Sequence, residues 1–309
     1  MGQETGIAWC HSTFNAWTRC TRLSEACDFC YAEQWANRAK HPTTPDGRSL
    51  PVWGPEAPRT PTSKTNWNQP LKWNHEALAI GERRRVFCGS LMDVFENHPA
   101  LDASGVRSRL WDLIEATPML DWLLLSKRWG TEDIEGMVPR AWAGGWPANV
   151  WAGSTVENQP RAEQRLPHLL RVPAVVRYLS VEPMLGPVDL SPWLTTIGAP
   201  GDAMLPERAL HWVIIGGESG HHARPFDLHY ARDLSAQCVE AGVPVFWKQL
   251  GAVPVVHFDL NRKSGVEGCR IRGGTPDGGL VLALKDGHGG DVSEWPSDLQ
   301  APELRRWPR

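Results

Sequence analysis

VWAGSTVENQPRAEQRLPHLLRVPAVVRYLSVE, residues 150–182, reads as strand, helix, strand. VWAGSTV (150–156) and VVRYLSV (175–181) are short runs rich in β-branched and aromatic residues, the pattern of buried strands, and Gln159 to Leu170 between them reads as a helix. Strands joined through a helix lie parallel, because the crossover is too long for a hairpin. The same rhythm extends in both directions, at intervals of roughly 25 to 35 residues. VFCGS (86–90), WLLLSKR (122–128), HWVIIGG (211–217) and VPVFWKQ (243–249) supply the further strands, and Ser108 to Ala116 and Tyr230 to Ala241 the further helices. GIAW (6–9) is expected as the first strand, with Tyr31 to Lys40 as the helix that follows it.

Nearly every expected strand runs out into polar residues: Ser90 and Asp93, then Ser126, Lys127 and Arg128, then Ser154 and Glu157, then Ser180 and Glu182, then Glu218, then Lys248 and Gln249. In parallel α/β barrels the reaction site is built at the carboxyl ends of the strands. The repeated pattern therefore predicts a polar rim above an apolar barrel.

With 41% hydrophobic and 22% charged residues over 309 positions, the chain can bury a large core and falls outside the disordered and fibrous classes. The formal charge of -3 leaves no overall positive field to hold nucleic acid or an anionic membrane, so such contacts must be local. The longest apolar runs, Trp122 to Leu125 and Trp212 to Ile215, are far shorter than the roughly 18 to 20 residues that span a bilayer. No membrane partner is expected. The opening residues lack a basic start and an apolar segment, which places the chain in a reducing cytoplasm where disulfides are disfavoured.

Seven cysteines are present, and three of them, Cys20, Cys27 and Cys30, crowd into CTRLSEACDFC. Cys88, Cys238 and Cys269 read as packing residues. Three thiolates on one loop suit zinc or an iron–sulfur cluster. A closed zinc site needs a fourth ligand, for which Cys10 and His11 are the nearest candidates. A cluster held by three cysteines keeps one iron open to a further ligand, which is an arrangement for chemistry. Two segments stand outside the barrel rhythm. His41 to Trp73 is rich in Pro, Thr and Trp and reads as an ordered insertion near the cysteine loop; from Gly251 the chain becomes Gly-rich, with GCRIR and GGLVLALKDG suggesting a small hairpin. The 17 tryptophans read mainly as core and lid.

TGIAWCHSTFNAWTRC (5–20), CDFCYAE (27–33), VFCGSLMDVFE (86–96), LLLSKR (123–128), VWAGSTVENQ (150–159), RYLSVEPMLGPVDL (177–190), HWVIIGGESGHHARP (211–225) and PVFWKQLG (244–251) are spread from about residue 5 to 252. On these segments it resembles the bacteriophage three-cysteine-motif family of radical S-adenosylmethionine (SAM) type proteins, itself distantly similar to spore photoproduct lyase. CDFC keeps the C-x-aromatic-C end of the radical SAM signature, while six residues instead of three separate the first two cysteines. The resemblance implies a partial parallel (β/α)6 TIM-like barrel over 1–252, with the insertion at 41–73 and a C-terminal β extension over 253–309. It implies that Cys20, Cys27 and Cys30 hold a [4Fe–4S] cluster, that SAM binds the open iron, and that an external donor of flavodoxin or ferredoxin type supplies the electron. Cleavage of SAM then gives a 5′-deoxyadenosyl radical.

SAM carries a carboxylate, an ammonium and a sulfonium, so it requires a cation, an anion and donors for its ribose. Ser90 and Asp93 are assigned to the ammonium, Lys127 or Arg128 to the carboxylate, Ser154 and Glu157 to the ribose or sulfonium, and Phe29 to the adenine. Glu182, Glu218, Arg224 and Lys248 then face the substrate as the catalytic candidates. The family context points to a nucleic-acid base or modified nucleotide in DNA hypermodification, isomerisation or repair, within a host cytoplasm if the chain is phage-encoded. Two other readings stay open: a zinc-containing module that binds nucleic acid or protein, and a barrel hydrolase using Glu182 and Glu218.

Overall fold

The computed structural model describes residues 5–39, 41–194, 210–257 and 269–308. The chain divides into two compact units, 1–154 with 167–176, and 155–166 with 177–309. The first unit begins with β1 (Ser12–Phe14), β2 (Trp17–Thr18) and α1 (Tyr31–Arg38), followed by β3 (Thr60–Pro61) and α2 (Lys64–Ile80). It continues through β4 (Arg84–Cys88), α3 (Pro99–Ala103), α4 (Val106–Glu115), β5 (Leu120–Ser126) and β6 (Val150–Thr155). β4 pairs in parallel with β1 on one side and β5 on the other, and β5 pairs in parallel with β6. The register sets Phe14 beside Cys88, Cys88 beside Leu124, and Ser126 beside Ser154. β5 and β6 are buried along almost their whole length and β4 over its last three residues, which is why apolar runs without alternation mark them in the sequence.

Beyond β6 come α5 (Gln159–Leu169), β7 (Val176–Val181), α6 (Ser191–Leu194), β8 (Trp212–Gly216), β9 (Phe226–Asp227), α7 (Leu228–Glu240) and β10 (Val245–Gln249). In the second unit β8 pairs in parallel with β7 and with β10. Three short strands follow, β11 (Pro254–Val256), β12 (Ile271–Gly274) and β13 (Leu280–Leu282). They pair antiparallel in the order β12, β13, β11, and β11 also pairs in parallel with β9. The final segment covers β10: Arg306 N–H donates to Val245 O at 3.0 Å, and Trp212 Nε1 donates to Arg306 O at 2.8 Å. An otherwise open strand edge is thereby occupied.

The mixed α/β class and the parallel sheet agree with expectation, and among the described residues that sheet has seven strands. Thirteen of the 17 tryptophans are buried, so indole packing dominates over exposed stacking. Two readings need correction. Gly6 to Trp9 forms a turn, with Cys10 N–H donating to Ile7 O at 3.2 Å, and the first strand is β1 instead. Its Ser12 and Thr13 are buried among apolar neighbours but look like loop residues in isolation. The insertion does not extend to Trp73, because α2 starts at Lys64: Ser63 Oγ caps it by accepting from Asn66 N–H, and Gly81, at φ 73°, ends it. Pro70 inside that helix, within a Pro-rich stretch, conceals it from a propensity argument. Lys40, the expected end of α1, and Gly268 of GCRIR lie outside the described residues.

Candidate functional site

The polypeptide leaves β2 through Arg19, whose φ of 83° is the only positive value for a non-glycine among the described residues. The turn is held at both ends: Arg19 N–H donates to Leu91 O at 3.0 Å, and its guanidinium donates to Thr60 Oγ1 at 2.7 Å. A left-handed residue so anchored fixes where Cys20 emerges. Next, Ser24 leads into a short 3-10 turn over Glu25–Cys27, with Cys27 N–H donating to Ser24 O at 2.8 Å. Cys30 forms the N-cap of α1, its carbonyl accepting from Glu33 and Gln34 N–H. Arg22 and Glu33 pair at 2.8 Å across the loop. All three cysteines are unpaired and half-buried.

Cys20 sits against a buried charge network. Arg128 Nη2 approaches Cys20 Sγ at 3.7 Å and donates to Thr21 O at 3.1 Å. The same guanidinium meets Glu96 at 3.3 Å, Asp93 at 3.6 Å and Glu132 at 3.3 Å. Arg59, from the insertion, grips Glu96 with two bonds of 2.6 Å and donates to Thr21 Oγ1 at 2.8 Å. Burial alone would raise the Glu96 pKa, but hydrogen bonding and charge from Arg59, with Arg128 and Thr21, hold it below the ordinary 4.5. The Cys20 thiol is pushed far above its ordinary value by burial and by Glu96 and Asp93, against the opposing pull of Arg128. A bound metal would therefore have to displace the proton, as thiolate ligation commonly requires.

Cys20, Asp93 and Arg128 are brought together in the first unit, with Ser126 Oγ donating to Asp93 at 2.7 Å and Lys127 N–H at 3.3 Å. Asp93 is thus already coordinated by protein donors. Ser90 Oγ accepts from Asn15 Nδ2 at 2.8 Å, Phe29 is 37% exposed, Lys127 is half-buried, and Ser154 is fully buried at the end of β6. In the second unit, Glu157 is buried against Arg165 at 2.7 Å, Glu182 pairs with Lys248, and Glu218 takes bonds of 2.9 and 2.7 Å from the Arg224 side chain. Glu182 and Glu218 are therefore each held by a separate cation. Glycine is required between them: a Cβ at Gly217 would lie 2.4 Å from Leu250 O.

The residues Arg59, Glu96, Glu132 and Thr21 were not anticipated. Glu96, three positions after Asp93 in DVFE, offered a signal. Arg59, inside a Pro-rich segment, offered none. The suggested zinc ligands are engaged elsewhere: Arg85 N–H donates to His11 Nδ1 at 2.8 Å, the Arg85 guanidinium lies 3.5 Å from Nε2, and Cys10 Sγ faces Ile7 O at 3.8 Å. Among the described residues, no three His, Cys, Asp or Glu side chains are gathered to hold a metal ion. Cys20, Cys27 and Cys30 form no such group either. Ser24 Oγ, within the loop, and Trp53 Nε1, next to Gly54, are buried without a hydrogen-bond partner, and Gly54 N–H donates to Cys20 O at 3.1 Å. Leaving such atoms unsatisfied costs about 1–3 kcal/mol each.

Solved structures of spore photoproduct lyase share a distant likeness with the chain. A cysteine-to-serine mutant is 11% identical with a TM-score of 0.40, over 90% of this chain and 69% of that one. A double mutant with bound AdoMet and dinucleoside spore photoproduct is 10% identical with a TM-score of 0.40, over 89% and 68%. The lyase complexed with dinucleoside spore photoproduct is 10% identical with a TM-score of 0.38, over 88% and 68%. No curated protein matches the chain significantly. Residues 4–277 match the model of a family described as "Protein of unknown function (DUF5131)", and the chain belongs to that family.

Proposed function

We propose that the chain is a radical SAM enzyme acting on a nucleic-acid base or modified nucleotide. The observation that carries this reading is the loop of Cys20, Cys27 and Cys30, three unpaired thiols with the first anchored to the buried Arg128, Asp93, Glu96 and Arg59 network. A [4Fe–4S] cluster held there would supply the electron that cleaves SAM to methionine and a 5′-deoxyadenosyl radical.

The chain's own residues set the conditions for that chemistry. Arg19 fixes the exit of the loop, and Arg128 places a cation beside Cys20, which stabilises a thiolate in a low-dielectric surrounding. Within this reading Ser90 and Asp93 serve the SAM ammonium, Lys127 or Arg128 its carboxylate, Ser154 and Glu157 its ribose or sulfonium, and Phe29 its adenine. The Glu182–Lys248 and Glu218–Arg224 pairs serve the substrate. Each pair presents both an acceptor carboxylate and a donor cation to the polar groups of a base. Reducing equivalents come from a flavodoxin- or ferredoxin-type donor. No helix among the described residues is long and apolar enough to cross a membrane.

The test is anaerobic reconstitution with iron and sulfide, followed by incubation with SAM and a strong reductant. Release of 5′-deoxyadenosine by the native chain, and its loss in Cys27→Ala, is expected. No release from a protein fully loaded with iron and sulfide would overturn the proposal.

A further inference from the structure

We infer that the exposed face of α1 is a stacking platform for the bases of a single-stranded nucleic-acid segment, an inference that rests on the substrate half of the reading above and deepens it. Thirteen of the 17 tryptophans are buried, and Trp35, 44% exposed, is the only exposed one among the described residues. The other exposed rings are Phe29 and Tyr31, the latter 55% exposed, so every exposed phenylalanine, tyrosine and tryptophan among the described residues lies between 29 and 35. α1 is built the reverse of an ordinary surface helix. Its inner side is formed by Ala32 and Ala36, which are buried, whereas Tyr31, Gln34, Trp35 and Arg38, at i, i+3, i+4 and i+7, make one exposed stripe. Large rings left in water on a helix that packs through small residues mark a recognition surface.

The occupant follows from what accompanies the rings. The remaining exposed residues between 20 and 39 are Arg22, Glu25, Asp28, Gln34, Asn37 and Arg38, all charged or amide-bearing, and none is aliphatic. A protein partner buries a contiguous apolar patch depleted in charge, which this stretch does not supply. A nucleobase has a flat π face and a polar edge, so it takes an aromatic ring above and an amide or guanidinium beside it. The stripe also starts at the cysteine loop: Cys30 is the N-cap of α1, Tyr31 is its first residue, and Gln34 Nε2 donates to Phe29 O at 3.4 Å. Chemistry on a base requires that the base leave its stack, and a platform here holds the unstacked strand beside that loop. Phosphates contribute little. Arg22 is paired with Glu33 at 2.8 Å, and Arg38 stands in a segment that also exposes Glu25 and Asp28, so the stretch carries no excess of positive charge. Affinity comes from the bases and not from counterion release.

The experiment is fluorescence anisotropy of the reduced full chain with a labelled DNA single strand of about 12 nucleotides, with an abasic strand of the same length, and with the corresponding duplex. Trp35→Ala and Tyr31→Ala are each expected to weaken binding of the single strand by about 5- to 150-fold, and Trp35→Phe, which keeps a ring, by much less. The abasic strand and the duplex are expected to bind the native chain far more weakly than the single strand does. The logarithm of the association constant should fall with the logarithm of salt at a slope no steeper than about -0.7, the value for one phosphate contact. Unchanged affinity in either alanine variant, a loss in Trp35→Phe equal to that in Trp35→Ala, equal binding of the abasic strand or duplex, or a steeper slope overturns the inference. So does a native chain that binds no single strand, which would return the stripe to a protein partner. Thermal unfolding is measured alongside; a lowered midpoint in the alanine variants would make these rings structural, against the inference. None of these measurements needs metal or SAM. A chain that stacks bases but releases no 5′-deoxyadenosine defeats the radical reading, whereas one that releases it but binds no strand defeats the platform, so the two failures are distinguishable.

Discussion

Glu96→Gln is the substitution that most severely tests the architecture around Cys20. Glu96 accepts two bonds of 2.6 Å from Arg59 and one of 3.3 Å from Arg128, and the Arg59–Glu96 pair is almost completely shielded from solvent. Glutamine removes the charge and turns an amide donor toward guanidinium donors, leaving buried cations undercompensated. Disrupting a buried pair in this way costs about 3–5 kcal/mol, a large part of the roughly 5–15 kcal/mol that stabilises a typical domain. Urea unfolding of the reduced protein at neutral pH measures the difference. Asp46→Asn is the internal control: its pair with Arg48 at 2.8 Å is solvent-exposed, and pairs of that kind contribute little to stability. The sign with pH follows from the lowered Glu96 pKa. The unfolded chain takes up a proton near 4.5 and the folded chain only below that, so the contribution is complete above pH 4.5 and lost as pH falls through the folded value. The gap between native and Glu96→Gln protein should narrow on acidification. A loss below 1 kcal/mol, or a gap that widens at acid pH, would refute the assignment of the network as the anchor of the loop.

Other consequences are open to direct measurement. Gly217→Ala forces a methyl group into Leu250 O and should lower the unfolding midpoint by several degrees while displacing Glu218; an unchanged midpoint would contradict the close packing. His11 is lowered in pKa by burial and by Arg85 and Arg84, and His211 by burial and by Arg177, so NMR should find both imidazoles titrating below 6.5. Each then removes stability as pH falls from 6.5 toward its folded value, and titration above 6.5 would reverse that sign. Burial pushes the Cys238 thiol up to about 12, so iodoacetamide should label the half-buried Cys27 well before Cys238 in the native apo-protein. Equal labelling rates would argue that the helix bearing Cys238 opens readily.

The alternation of strand and helix was legible because β4 to β8 and β10 are buried over most of their length and each carries an apolar run in the sequence. β1 was not, because its burial is decided by the strand beside it and not by Ser12 or Thr13 themselves. α2 was concealed for a related reason: its cap at Ser63 is local, but Pro70 and the surrounding prolines argue for a loop. At the site, the spacing of Cys20, Cys27 and Cys30 is a local signal that survives in one dimension. The charge network is not local. Arg59 and Glu96 are 37 residues apart and Glu182 and Lys248 are 66 apart, so only the folded chain reveals which cation holds which carboxylate.

The most direct test of the central claim is the metal content of the anaerobically reconstituted chain, read with the EPR signal of its reduced state. The account predicts four irons and four sulfides per chain, a reduced-cluster signal that changes when SAM is added, and loss of both in the Cys20→Ala, Cys27→Ala, Cys30→Ala variant. Stoichiometric zinc without sulfide, or iron retained unchanged after the three substitutions, would contradict it.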